Sequence, residues 1–255
     1  MTVHMFWAYG GISKLESVAM NSFIRMGYAL TVWTYDLSIQ LPNGVQKRDA
    51  REILDEKYVF VNKVGSYASF SDMFRYAVLS TIGGLYVDTD VIAVKPASEL
   101  PAGKFLVSER KSIDGRMVTG LKMITGLNKF IRHKAALNNN VIYNPCPDPN
   151  DMISLAFRRA YEFPKDKITW SEIGPMLLND LVQELPSHGY EIKQVEFANP
   201  YPYWNCPEML LQPGGMVPEQ TYFIHCYSEM WRWKRVRKDS FYPVNCVLQR
   251  FGSFA

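Results

Sequence analysis

The chain has 255 residues, 47% of them hydrophobic and 14% aromatic, enough for one large core or a core with a small appendage. A charged fraction of 21% argues against disorder, and a net charge of +3 does not by itself imply a nucleic-acid binder. The four cysteines, Cys146, Cys206, Cys226 and Cys246, form no metal knuckle, CxxC pair or disulfide framework, which points to a reducing compartment.

The N-terminus, MTVHMFWAYGG, has no basic region leading into a long apolar run. No apolar stretch reaches the roughly eighteen residues that span a bilayer. The expectation is a soluble, cytoplasmic protein, although a catalytic segment of an anchored chain would look the same. TVHMFWAY reads as a strand ending at Gly10-Gly11, KLESVAMNSFIRMGY as a helix, and ALTVWTYD as a second strand. KRDAREILDEK reads as a charged amphipathic helix and YVFVNKV as another strand. Residues 69–82 have helical spacing and stop at Gly83-Gly84, and LYVDTDVIAV follows as one strand. This alternation predicts an α/β fold with a mostly parallel sheet. Beyond it, KFLVSE, NNVIYNP and TYFIHCY read as strands, PCPDPN as a turn, DMISLAFRRAYEF and GPMLLNDLVQEL as helices, and ANPYPYWNCPEMLLQPGG as loop. One domain over 1–255 is expected, with a nucleotide-binding half (1–96) and an elaborated half (97–255).

The chemistry concentrates in FSDMFRYAVLSTIGGLYVDTDVIAVKP, residues 70–96. In an extended strand Asp88 and Asp90 point to one side with Tyr86, and two such carboxylates suit a hard divalent cation, Mn2+ or Mg2+. On the preceding helix Asp72 and Arg75 share a face with Tyr76 and Leu79, while Phe70, Phe74, Ala77, Val78 and Thr81 form the opposite, buried stripe. The helix thus has a charged side free to face a ligand. Each piece alone is weak: a lone DxD is often a solvated strand end, and an i, i+3 Asp–Arg pair is usually a surface ion pair. The combination of SDxxR, GGLY and DTD is much more specific. Arg232 to Lys238, RWKRVRK, holds five positive charges in seven residues, read first as a solvated face and second as attraction to a phosphate-bearing ligand.

This combination resembles the DxD-containing sugar transferases of glycosyltransferase family 32, most closely over 67–96 and less so over 1–36, NNNVIYNPCPDP, IGPMLL and YFIHCYSEMW. The family includes fungal mannosyltransferases and animal α-1,4-galactosyl- and N-acetylglucosaminyltransferases. The resemblance implies a GT-A nucleotide-sugar-binding fold, a divalent metal (Mn2+ or Mg2+), a nucleotide-sugar donor (a UDP-sugar favoured, GDP-mannose possible) and retention of anomeric configuration. It implies that Trp7 stacks on the base with Phe6 beside it. Asp72 and Arg75 would bind the donor sugar, with Ser71 and Tyr86 alongside. Asp88 would touch the metal through water and contact the ribose or sugar, and Asp90 would ligate the metal directly. His225 would be a late metal ligand, with Ser228 and Trp231 near the diphosphate in the C-terminal segment. Asn139, Asn140, Gly174 and Pro175 would line the acceptor side. On residues alone, His225 and Trp7 would both read as core.

Two other readings stay open. Haloacid-dehalogenase-like phosphatases also use hhhhDxD, with Asp88 and Asp90 as nucleophile and general acid. They place it on the first strand and need a late acidic pair, for which Asp148 and Asp151 are the only spacing here. A catalytically inactive nucleotide-sugar-binding module is the non-enzyme alternative. The acceptor could be a saccharide, lipid-linked saccharide, protein or, motivated only by the basic run, a hydroxylated DNA base.

Overall fold

A computed structural model describes residues 1–63, 65–110, 112–113, 116–117, 136–169 and 171–252. Its strands are β1 Thr2–Phe6, β2 Ala29–Thr34, β3 Gln46–Asp49, β4 Gly84–Val87, β5 Val91–Ala93, β6 Phe105–Arg110, a short β7 Ser112–Ile113 and β8 Arg116–Met117 hairpin, β9 Ala136–Asn144, β10 Glu191–Lys193 and β11 Phe223–His225. The α-helices are α1 Lys14–Arg25, α2 Ala68–Thr81, α3 Met152–Glu162, α4 Pro175–Glu184, α5 Cys206–Leu211, α6 Ser228–Trp233 and α7 Val247–Gly252. The main sheet has the order β10-β6-β9-β4-β1-β2-β3. Only β9 runs against its neighbours, so the expected mostly parallel sheet is present.

Side-chain alternation divides the core between the two faces of this sheet. Val3, Met5, Leu85, Val87, Phe105 and Val107 pack on one face with Phe23 of α1. Phe6, Trp33, Tyr86, Leu106 and Ile142 pack on the other with the apolar side chains of α2, α3 and α4. A third cluster joins Leu15 and Ile92 to Ile224, Trp231, Tyr242 and Leu248, and so fastens the C-terminal segment to α1 and β5. Gly83 and Gly84 do what a turn between α2 and β4 requires. Both have positive φ, and a Cβ would lie 2.9 Å from the Asn144 carbonyl at Gly83 and 2.9 Å from the Thr2 carbonyl at Gly84.

Four expectations need correction. KRDAREILDEK is not a helix: 46–49 pair with β2 as an edge strand, followed by 3-10 turns at Ala50–Glu52 and Glu56–Tyr58. The side chains of Asp49 and Asp55 cap the N–H groups of Arg51 and Lys57, and these local bonds stop a helix from propagating. YVFVNKV forms no strand over 59–62; β3 already holds the sheet edge beside β2, and Val59 and Phe60 pack as loop residues against the core. LYVDTDVIAV is two strands in two different sheets, broken at 88–90 by a turn in which the Val91 N–H donates to the Asp88 carbonyl at 3.0 Å. Finally, ANPYPYWNCPEMLLQPGG contains α5.

His4 bridges the sheet. Its Nδ1 accepts from the Trp33 indole N–H at 3.1 Å, so its Nε2–H donates to the Gly83 carbonyl at 3.0 Å, and the ring is neutral. Burial lowers its pKa to about 4. The unfolded chain takes up this proton near pH 6.5 and the native protein does not. Stability is therefore full above pH 6.5 and falls as pH drops from 6.5 towards 4, by up to about 3 kcal/mol. Urea unfolding at pH 7.5 and pH 5 is expected to show a smaller pH loss for His4→Gln than for the unsubstituted chain.

Candidate active site

The site forms where β4 ends, β5 begins and β11 lies beside β5. The antiparallel β5–β11 pair sets His225 opposite Val91, and the Cys226 N–H donates to the Asp90 carbonyl at 2.9 Å. Residues 135 positions apart in the chain therefore meet. One donor atom from each of Asp88, Asp90 and His225 lies within 4.8 Å of the others. The carboxylates converge because the chain turns between them, rather than by strand alternation.

Asp90 is 7% exposed; its Oδ2 accepts the Ser228 N–H at 2.7 Å and its Oδ1 faces His225 Nε2 at 3.4 Å. Burial acts to raise its pKa, but the His225 ring and the Ser228 N–H outweigh it and hold the carboxyl well below the usual range. Burial likewise disfavours a charged His225, yet Asp90 beside it raises its pKa. Asp88 is pushed up to about 6, first by burial and then by the charge of Asp90, with Arg75 and His225 opposing. A pair of carboxylates this close, with an imidazole as third donor, is a hard O,O,N set that fits Mn2+ or Mg2+.

Arg75 is the cation already in place. Its guanidinium lies 2.9 Å from Asp88 and 3.1 Å from Asp72, donates to the Asn139 carbonyl, and sits over the Tyr86 ring at 5.0 Å. Asp72 also accepts from the Asn139 amide at 2.7 Å. The expected open, charged face of α2 is therefore closed: from Ser69 to Leu79 every residue except Ser71 is buried, whereas Thr81, expected inside, is exposed. Tyr76 and Leu79 belong to the core, and the Tyr76 hydroxyl donates to the Gly174 carbonyl at 3.2 Å. Gly174 packs so tightly on Asp72 that a Cβ there would lie 2.5 Å from its carboxylate. Pro175 opens α4 beside it. Ser71 Oγ is 3.2 Å from the Tyr86 hydroxyl. The Asn140 carbonyl takes the Asp88 N–H at 2.9 Å.

Two expected donor contacts sit in the core instead. The Phe6 ring is 5% exposed and stacks on Phe74 at 4.2 Å. Trp231 is fully buried and its indole N–H donates to the Cys226 carbonyl. Both are apolar positions on short elements whose outward direction only packing decides. Trp7 stays half-buried, its indole N–H donating to the Gly10 carbonyl at 3.0 Å. Of the basic run, Arg232 pairs with Glu229, Lys234 with Glu208 and Lys238 with the buried Glu16. Arg232, Arg237 and Lys238 line a cleft of about 350 Å³ with Ser13 and Ser228. Asp151, needed by the phosphatase reading, caps α3 and binds Lys104 and the Tyr190 hydroxyl. Asn199 and Tyr227 were not singled out by the sequence: Asn199 lies in a stretch read as loop, and Tyr227, whose ring lies 3.9 Å from that of His225, lies within YFIHCYSEMW, where the resemblance drew attention to its neighbours.

The sheet order and the likeness to a solved structure show a fold of the GT-A type. Residues 14–106 match the family described as the glycosyltransferase sugar-binding region containing the DXD motif. Among solved structures, the chain is similar to the apo form of the glycosyltransferase GlyE of Streptococcus pneumoniae TIGR4, with a TM-score of 0.52 and 15% identity, covering 100% of this chain and 60% of that one. It is also similar to the PaToxG glycosyltransferase (TM-score 0.47, 20% identity, 72% and 69% covered). A third is the galactosyltransferase LgtC in complex with donor and acceptor sugar analogues (TM-score 0.46, 13% identity, 96% and 85% covered). No curated protein matches. The family match spans 93 of the 255 residues, 14–106, and the likeness to GlyE concerns the fold. Among the described residues, no helix is long and apolar enough to cross a membrane.

Proposed function

We propose that the chain is a metal-dependent, retaining hexosyltransferase of the family 32 type, moving a hexose or N-acetylhexosamine from a UDP-sugar, or GDP-mannose, to a saccharide hydroxyl. The observation that carries this reading is the convergence of Asp88, Asp90 and His225 beside the Asp72–Arg75 pair. Asp90 and His225 would hold Mn2+ or Mg2+ directly, with Asp88 alongside. Such an ion, when bound, neutralises charge on a leaving diphosphate as a Lewis acid. Asp72 would accept hydrogen bonds from donor-sugar hydroxyls, and Arg75 would add a fixed positive charge near the phosphate without reorganising, because its partners already hold it. Ser228 lines the neighbouring cleft of mixed charge with Arg232, Arg237, Lys238, Glu229 and Asp239, its hydroxyl donating to Glu16 at 3.3 Å, and it would reach a diphosphate oxygen only by leaving that partner. Of the residues expected on the acceptor side, Asn139, Asn140 and Gly174 are buried, so the acceptor would approach over Pro175, within a half of the chain in which 118–135 lie outside the described residues.

A panel of nucleotide sugars with Mn2+, read by thermal shift, tests this. The donor raises the melting temperature by mass action and does so less without metal. Metal-independent binding, or no stabilisation by any nucleotide sugar together with phosphate release from simple phosphoesters, would replace this reading with another. The base site has its own test. Stacking on an aromatic ring is worth about 1–3 kcal/mol in nucleic-acid systems, so Trp7→Ala is expected to weaken donor binding roughly ten- to a hundredfold, and Trp7→Phe much less. Calorimetry with the donor checks it; equal, negligible effects would return Trp7 to a packing role.

A further inference from the structure

We propose that Asn199 is a positioning residue for the metal group, tying together the main-chain segments that carry its ligands; this rests on Asp88, Asp90 and His225 being those ligands. Asn199 is 3% exposed, and its amide joins three elements. Nδ2 donates to the Ser108 carbonyl of β6 at 2.9 Å. Oδ1 accepts from the Asn140 amide of β9 at 3.0 Å and from the Tyr227 hydroxyl at 3.2 Å.

Two of these partners, Asn140 and Tyr227, border a ligand, and so does Ala198 next to Asn199. The Asn140 carbonyl receives the Asp88 N–H at 2.9 Å. The carbonyl of Ala198, adjacent to Asn199 in the chain, receives the His225 N–H at 3.0 Å. The Tyr227 ring lies 3.9 Å from the His225 ring, centroid to centroid, on a residue held at φ 51°. A left-handed φ costs a non-glycine residue energy and persists only where its surroundings hold it; the Asn199 Oδ1 is one such contact of the Tyr227 side chain. One buried amide thus sets the spacing between the DXD turn and the strand that supplies His225. Groups of this kind, which touch no metal but orient its ligands, typically change metal affinity 10–100-fold when removed. The purely structural alternative is that Asn199 only satisfies buried polar atoms. It predicts lost stability without a change in the affinity of the folded protein for metal.

The experiment is Mn2+ titration of the whole chain, following the EPR signal of the free ion, with Mn2+ alone and with UDP present. Asn199→Ala is expected to weaken Mn2+ binding about 10–100-fold while still unfolding cooperatively, and Tyr227→Phe severalfold. Tyr190→Phe also removes one buried hydrogen bond, to Asp151, and is expected to bind Mn2+ as the unsubstituted chain does. Unchanged Mn2+ binding in Asn199→Ala and Tyr227→Phe would overturn the proposal, as would an equal loss in Tyr190→Phe. If Asn199→Ala does not fold, Tyr227→Phe decides, because it deletes a single oxygen. Failure of the unsubstituted chain to bind Mn2+ in either condition would instead overturn the ligand assignment beneath the proposal, and the proposal with it.

Discussion

Asp90→Ala is expected to abolish Mn2+-dependent donor binding and to reduce transfer by on the order of a thousandfold or more, while the chain still folds. Asp90 offers one oxygen towards His225 and spends the other on the Ser228 N–H. The alanine variant therefore loses a ligand and also an anchor of the C-terminal segment. Asp90→Asn separates the two effects, because its amide oxygen can still accept from Ser228 but carries no charge. Calorimetry with Mn2+ and donor is expected to show metal-dependent binding lost in both variants, with the thermal midpoint falling further for alanine. Donor binding at the unsubstituted level in Asp90→Ala, with Mn2+ present, would show that Asp90 is not a ligand.

Arg75→Ala is expected to cost about 3 kcal/mol of stability in addition to activity, because it leaves the buried Asp72 and the partly buried Asp88 without their cation. For a chain of this size that is a fall of roughly 10 °C in the midpoint of thermal unfolding. Asp72→Asn is nearly isosteric and keeps an acceptor for the Asn139 amide, so its cost is expected to be smaller. Binding separates the roles. Asp72→Asn is expected to weaken the full donor and spare the bare nucleoside diphosphate, whereas Arg75→Ala weakens both. If Asp72→Asn harms the bare diphosphate equally, Asp72 acts by orienting Arg75 and does not read the sugar. The 3.1 Å contact between them makes that outcome a real alternative.

Local pattern was enough wherever a segment's own residues decide its conformation. Phe70, Phe74, Ala77 and Val78 fall at helical spacing, and Gly83-Gly84 ends α2 because only glycine fits the positive φ beside the Asn144 and Thr2 carbonyls. The apolar runs of β1, β2 and β4 alternate between two cores, and their order with α1 and α2 predicts a mostly parallel sheet. The motif SDxxR–GGLY–DTD likewise named the carboxylates and Arg75 as one constellation. The tertiary structure decided where competing local forces or distant partners mattered. Aspartate caps at 49 and 55 overrode the helical spacing of KRDAREILDEK. Phe6 packs inward on Phe74 and Trp231 inward among Leu15, Ile92 and Tyr242, contacts with residues far away in the sequence. Arg75 is buried rather than free because β9 supplies Asn139 to bond it. His225 reaches Asp90, and Asn199 reaches β6 and β9, only through pairings that span much of the chain, and such contacts leave no periodicity in the sequence on either side.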